Sequence, residues 1–185
     1  MPRKIYFVFT LIFMCFPQFA TSNINEKTED NQKTQKILSN YFSKYLLVGK
    51  ANFQFLFWNM YDAKLVSENG KYPSNKFALI LKYNREFKKD KVVDETINQL
   101  KKQKTFNTDE IGKVKLLLNK AFRDIKKNNT FIGIRNDNEA IFYFENEKVL
   151  ETKNIEFIKL FFDIWLRKDS QNPKFTNKLL GLSKG

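Results

Sequence analysis

Tyr83 and Arg85 stand two residues apart near the end of the run FALILKYNREF (Phe77–Phe87). Phe77, Leu79, Leu81, Tyr83 and Arg85 alternate there with Lys76, Ala78, Ile80, Lys82 and Asn84, and two is the side-chain period of a β-strand. The first set therefore shares one strand face, its apolar members turned inward, and the row ends in a phenol and a guanidinium. A guanidinium fork donates two parallel N–H bonds to a carboxylate and a phenol adds a third, so the chemistry on offer is capture of an organic anion. The same residues also read as a strand-end tyrosine closing the core and an arginine paired with Asp90, Asp94 or Glu95. The spacing leaves both readings open.

Other chemistry is bounded by what the chain lacks. It has no histidine and one cysteine, Cys15, which falls in the N-terminal leader. There, Arg3 and Lys4 precede the apolar run Ile5–Phe16, then Pro17 and the small residues of Ala20-Thr21-Ser22. This is the three-part layout of a secretory signal peptide, with cleavage expected near Ala20 or Ser22. The run is too short to span a bilayer, so no retained transmembrane segment is expected. Met14 is not the small residue that a lipoprotein signal places before its cysteine, so no lipid anchor is expected either. The organisation predicted is a signal peptide over 1–22, a polar tail with a short helix over 23–44 and one domain over 45–183, in a periplasmic or secreted protein. Without the leader, neither cysteine nor histidine remains. Disulfides, Cys/His zinc sites, cysteine nucleophiles and histidine acid–base chemistry are thereby excluded. No metal and no cofactor is expected.

The chain carries 33 basic and 20 acidic residues, a formal charge of +13, or +11 once Arg3 and Lys4 are removed. Such a field favours anionic partners: phospholipid head groups, an anionic envelope surface or ligand carboxylates. Only five of the basic residues are arginine, and a lysine-solvated exterior explains the excess equally well. Nucleic acid is not expected, because no basic residues interleave with aromatics as in a binding module.

The elements that must position these groups follow from pattern. Asn23–Thr34 reads as a polar tail and Gln35–Tyr45 as a short amphipathic helix. Leu46–Phe57 and Trp58–Ser67 read as paired strands, followed by turn residues around Gly70 and Pro73 and then the Phe77 strand. Asp90 can cap a helix with the stripe Val93, Ile97 and Leu100. Asn107 and Glu110, at capping-box spacing, open a second helix with apolar positions from Ile111 to Ile125. Strands return at Thr130–Arg135, Ala140–Glu145 and Val149–Thr152. A last helix, capped by Asn154, leaves only Glu156, Lys159, Asp163 and Arg167 polar, so most of its circumference must be buried. This order predicts an α+β domain with an antiparallel sheet. Phe53, Phe55, Phe57, Trp58, Phe142, Phe144, Phe161, Phe162 and Trp165 are candidates for its core or for a cleft in it.

Three stretches, GKANFQFLFWNMYDAKL (Gly49–Leu65), FALILKYNREF (Phe77–Phe87) and FFDIWLRKDSQNPKFTNKLLG (Phe161–Gly181), resemble the bacterial exported chalcone isomerase-like family. The resemblance runs over roughly Tyr45 to Leu182. It implies an open-faced β-sandwich, a large curved antiparallel sheet backed by a layer of helices, with an apolar cleft between the two. In the plant enzymes of this fold an early-hairpin arginine holds a phenolate, and that place falls near Phe53 here. Tyr61 falls near their threonine, Ser170 near their Ser/Thr, and their asparagine has no counterpart. Stabilising a developing anion is usually the largest catalytic term, so the missing cation argues against an enzyme. Relatives that bind fatty acids hold the carboxylate with an arginine and a tyrosine, and Tyr83 with Arg85 is the matching pair. The resemblance thus implies an exported, non-catalytic binder of a fatty acid or other apolar anion, with Tyr61, Tyr83, Arg85 and Ser170 at the ligand. The alternative is an envelope-associated interaction module whose cleft is filled by its own side chains, and isomerase activity stands third.

Overall fold

The computed structural model describes residues 21–183; the signal peptide expected over 1–22 lies almost wholly outside them. Six strands form one antiparallel sheet in the order in which they occur along the chain: β1 Leu46–Phe55, β2 Trp58–Ser67, β3 Lys76–Tyr83, β4 Thr130–Asn136, β5 Glu139–Phe144 and β6 Glu147–Thr152. Helices α2 (Lys89–Lys101) and α3 (Thr108–Ala121) fill the excursion between β3 and β4, while α4 (Ile155–Leu166) and α5 (Pro173–Leu179) follow the sheet. This is the α+β architecture expected, with a helical layer on one sheet face.

Period two in β3 works on both faces. Phe77, Leu79 and Leu81 point into the helical layer and join Leu65, Phe131 and Phe142 in the main core. Ala78 and Ile80 point the other way, with Val66, Ile132 and Ile134, and are buried too. They are covered by helix α1, Thr21–Ser39, whose Ile37 and Leu38 pack there together with Phe42. The polar tail expected over residues 23–34 is therefore helical, continuous with the helix expected from Gln35. Asp30 holds it to the sheet, accepting from Lys82 Nζ at 2.5 Å and from Thr130 Oγ1 at 3.3 Å. The sheet face that such a domain leaves open is, in this chain, partly closed.

Caps define the helices of the main layer. Asn107 and Glu110 form the reciprocal capping box at the start of α3, and Asn154 Oδ1 accepts from the Phe157 N–H at the start of α4, which satisfies N–H groups the helix cannot. Asp90 does not cap α2: it lies within the first turn, and Asp124 accepts the Lys89 N–H instead. Helix α3 stops at Ala121, earlier than its apolar spacing suggests, because Ile125 pairs with Phe87 in a β-bridge.

Helix α4 buries Phe157, Ile158, Leu160, Phe161, Phe162, Trp165 and Leu166, leaving the narrow polar strip expected. It can lie this close to the sheet because Gly133 has no side chain; a Cβ there would come within 3.0 Å of the Phe162 ring. Phe161 is fully buried, its ring centroid 4.9 Å from Phe142 and 5.3 Å from Trp165. Helix α5 presses on β1, where a Cβ at Gly49 would collide with the carbonyl oxygens of Lys178 and Leu179. The candidate aromatics divide accordingly. Phe142, Phe161, Phe162 and Trp165 are core, Phe53 and Phe144 are partly buried against it, and Phe55, Phe57 and Trp58 are exposed, since the β1–β2 hairpin runs on beyond the helices that cover the rest of the sheet.

Phe161→Ala removes the ring on which Phe122, Phe131, Phe142 and Phe157 all converge. It should cost about 3–5 kcal/mol, a large share of the stability of a domain this size, read as a lower midpoint in urea with an unchanged slope.

Candidate functional site

Beyond the phenylalanine-packed centre of the core, toward the sheet end where β1 turns into β2 and β3 ends, the packing opens into a cavity of about 250 Å³. Its sheet wall is Phe53 of β1, Met60 and Tyr61 of β2, and Tyr83 of β3. Val92, Thr96 and Gln99 of α2 form a second wall, and Ile164 and Trp165 of α4 with Phe175 of α5 form the third. Lys91, Glu95, Gln171 and Asn172 are exposed and make the rim. The interior is mainly apolar, and its polar groups are few and individually placed, as in small-molecule sites generally.

Two phenols occupy the sheet wall, their rings edge to face with centroids 5.8 Å apart. The Tyr61 oxygen accepts from Trp165 Nε1–H at 3.0 Å, which leaves the phenolic proton of Tyr61 free to donate. Tyr83 is buried, yet its hydroxyl has no hydrogen-bond partner among the described residues. Its backbone is fully engaged, the N–H donating to Asn129 O at 2.9 Å and the C=O accepting from Asn128 N–H at 2.8 Å. Burial disfavours the phenolate and pushes both phenols well above the usual tyrosine range; the bond from Trp165 offsets this in part for Tyr61. Both therefore serve as neutral donors.

Of the four residues singled out from sequence, the fold brings three to this cavity: Tyr61, Tyr83 and Ser170. Ser170 is already engaged. Its hydroxyl lies 2.6 Å from that of Thr176, and Thr176 donates onward to the Trp165 carbonyl at 3.0 Å. Since the Thr176 proton is used there, Ser170 is the donor of the first bond. The pair ties the α4–α5 connection to the end of α4.

Arg85 does not join them. The strand alternation that would carry it inward ends at Tyr83, where Asn128 and Asn129 take up the backbone and the Asn84 N–H turns to Met60 O. Past that point the guanidinium lies over the Trp58 ring, 3.8 Å from its centroid, on the outside of the hairpin. The carboxylate partners considered for it are not used. The cation that does reach the cavity is Lys91, at the rim.

Sequence reasoning missed Val92, Thr96 and Gln99. They recur at i, i+4 and i+7, a second stripe beside Val93, Ile97 and Leu100, and that spacing was the available signal. Phe53, where the resemblance puts the enzymes' arginine, lies flat on Tyr61 with centroids 5.0 Å apart, an apolar wall where that chemistry needs a cation.

No family model matches the chain, and no curated protein does. Among solved structures, the chain is similar to a fatty-acid binding protein of Arabidopsis thaliana, with a TM-score of 0.56 over 75% of this chain and 87% of that one, at 13% identity. That likeness is one of fold, and it makes the architecture chalcone isomerase-like.

The buried phenols set a limit on alkaline stability. Unfolded tyrosines ionise near pH 10, whereas Tyr61 and Tyr83 in the fold ionise higher. Their contribution is complete below about pH 10 and is lost as the pH rises through the folded values, because only the unfolded chain gives up these protons readily. Tyr83→Phe should leave the thermal midpoint at pH 7 nearly unchanged, as no hydrogen bond is lost, and should flatten the decline between pH 10 and 12 in melts taken across that range.

Proposed function

We propose that this chain is a non-catalytic binder of a small apolar ligand bearing an oxygen head group, a fatty acid or lipid-like anion. The ligand lies in the cavity between the sheet, α2 and the α4–α5 turn. The observation that carries this reading is Tyr83: a buried phenol without a hydrogen-bond partner among the described residues, on the wall of a mainly apolar cavity. Its hydroxyl faces cavity space rather than a protein acceptor, and a ligand oxygen placed there accepts its proton. Tyr61 adds a second phenolic donor, and Lys91 at the rim adds positive charge. The volume, near the lower end for ligand sites, favours a short acyl chain over a multi-ring compound. The fatty-acid binding protein among the structural neighbours supports the same ligand class. An open cavity favours this reading over a module filled by its own side chains, and Phe53 in place of a cation disfavours isomerase chemistry.

In this reading the head group is held by Tyr61 and Tyr83, Ser170 shapes the rim through Thr176, and Arg85 makes no ligand contact. Titration of a fluorescent fatty acid, with dodecanoate as competitor, should show micromolar binding. A hydrogen bond to a charged group contributes about 1.5–3 kcal/mol, so Tyr83→Phe should weaken affinity roughly tenfold or more. Arg85→Met should leave it unaltered. Failure of the wild type to bind any long- or medium-chain carboxylate at micromolar concentration would overturn the assignment.

We also propose that the protein is exported by its N-terminal segment and works in the periplasm or outside the cell, beside an anionic envelope. N-terminal sequencing of the mature protein should begin between Thr21 and Asn25; Met1 on exported material would contradict it.

A further inference from the structure

The β1–β2 connection breaks the usual rules for a hairpin. Phe55 pairs with Trp58, so only Leu56 and Phe57 make the turn, and Leu56 adopts φ of 54°. Turns of this length take glycine, asparagine or aspartate where φ is positive, and a leucine there is strained. All four residues of this turn are exposed: Phe55 59%, Leu56 75%, Phe57 98% and Trp58 54%. Leu116, Ile155 and Leu182 are also exposed but stand singly, which is ordinary for a protein surface. Four in a row on a projecting, strained turn are not, and a contiguous apolar projection of this kind marks an interaction site.

The surroundings define the partner. Arg85 stacks on Trp58 at 3.8 Å, a cation beside an indole, the pairing suited to the boundary between lipid chains and head groups. The two connections at the same end of the sheet, residues 84–88 and 122–129, with Lys89 at the start of α2, carry six basic residues (Arg85, Lys88, Lys89, Arg123, Lys126 and Lys127) against two acidic ones, Glu86 and Asp124. Of the six, Lys88 pairs with Asp124, and Arg123 with Glu147 at the start of β6, beside Glu145 in the preceding turn. Arg85, Lys126 and Lys127 form no ion pair among the described residues. The chain as a whole has a charge of +13.

We propose that the Phe55–Trp58 tip inserts into the interface of an anionic lipid bilayer, with Arg85, Lys126 and Lys127 at the level of the head groups. Apolar burial supplies the depth of insertion and the basic end of the sheet supplies the preference for anionic lipid. Tyr61 and Tyr83 of the cavity's sheet wall pair across β2 and β3 at this same end of the sheet, so the cavity lies near the docked tip. The proposal does not rest on what the cavity holds.

The test uses the full chain and its two tryptophans, of which Trp165 is buried and Trp58 exposed. Phosphatidylglycerol vesicles with brominated chains should quench and blue-shift the emission, and Trp58→Phe should abolish the quenching. The double substitution Leu56→Gly/Phe57→Ser places glycine at the positive φ and so keeps the hairpin. It should leave the thermal midpoint unchanged or raised while vesicle affinity falls roughly tenfold or more. Phosphatidylcholine vesicles should bind roughly tenfold more weakly than phosphatidylglycerol at low salt, the gap closing as salt is added. Absence of quenching on saturating anionic vesicles would overturn the proposal, as would equal affinity of the double variant. So would a wild-type dimer in sedimentation that the same substitutions split, because the tip would then serve a second copy. Loss of fatty-acid binding with vesicle quenching intact would count against the cavity reading alone.

Discussion

Strand β3 is buried on both of its faces, and the rest of the molecule is arranged around that constraint. A strand in the middle of an antiparallel sheet commonly keeps one side in water. Here Leu79 and Leu81 face one helical layer while Ala78 and Ile80 face another helix, so the sheet needs cover from both sides. Burial of this kind contributes roughly 1.5–3 kcal/mol for each large side chain. The covering helix comes from the N-terminal side of the sheet and its partners from between and after the strands, which makes the order of elements a consequence of where apolar rows need shielding.

On the main face the cover is aromatic. Rings of α4 lock onto Phe131 and Phe142 over the glycine gap at Gly133. Near the end of the sheet this stacking gives way to polar joints, Trp165 to Tyr61 and Ser170 to Thr176 to the Trp165 carbonyl. Space is left beside them. The cavity is the place where ring-on-ring packing stops and hydrogen-bonded supports begin, which is why its walls are apolar and its polar atoms few.

Much of this was legible in the sequence. Alternation in Phe77–Tyr83, the Asn107–Glu110 capping box and the lone polar strip of α4 each report a local rule that the fold obeys. What was not legible depended on distant partners. Residues 23–34 have no apolar stripe, and their helix is held by Asp30 reaching Lys82 and Thr130, 52 and 100 residues away. The unpaired signal was on the other side, in Ala78, Ile80, Ile132 and Ile134, a second apolar row that had to be covered by something. Arg85 was assigned by running an alternation one step past the strand's end, and that end is set by Asn128 and Asn129. The turn at Leu56–Phe57 carries no turn residue at all, so the strand was read through it. For Tyr61 and Ser170 the resemblance picked out two residues that line one cavity, but not the hydrogen bonds that occupy them.

The contact of α5 with β1 has a mechanical consequence. At Gly49 two backbones meet with no side chain between them, and Phe53 and Phe175 face each other just beyond, centroids 5.8 Å apart. The hairpin and α5 are thus welded into a single stiff plate, because any bending of one drives backbone into backbone. Across the mouth, α2 is joined to the α4–α5 connection by Lys102 donating to Gln171 at 2.8 Å, an exposed bond that water can replace at little cost. The opening is thus bounded on one lip by a single exposed hydrogen bond and on the other by backbone packed directly on backbone.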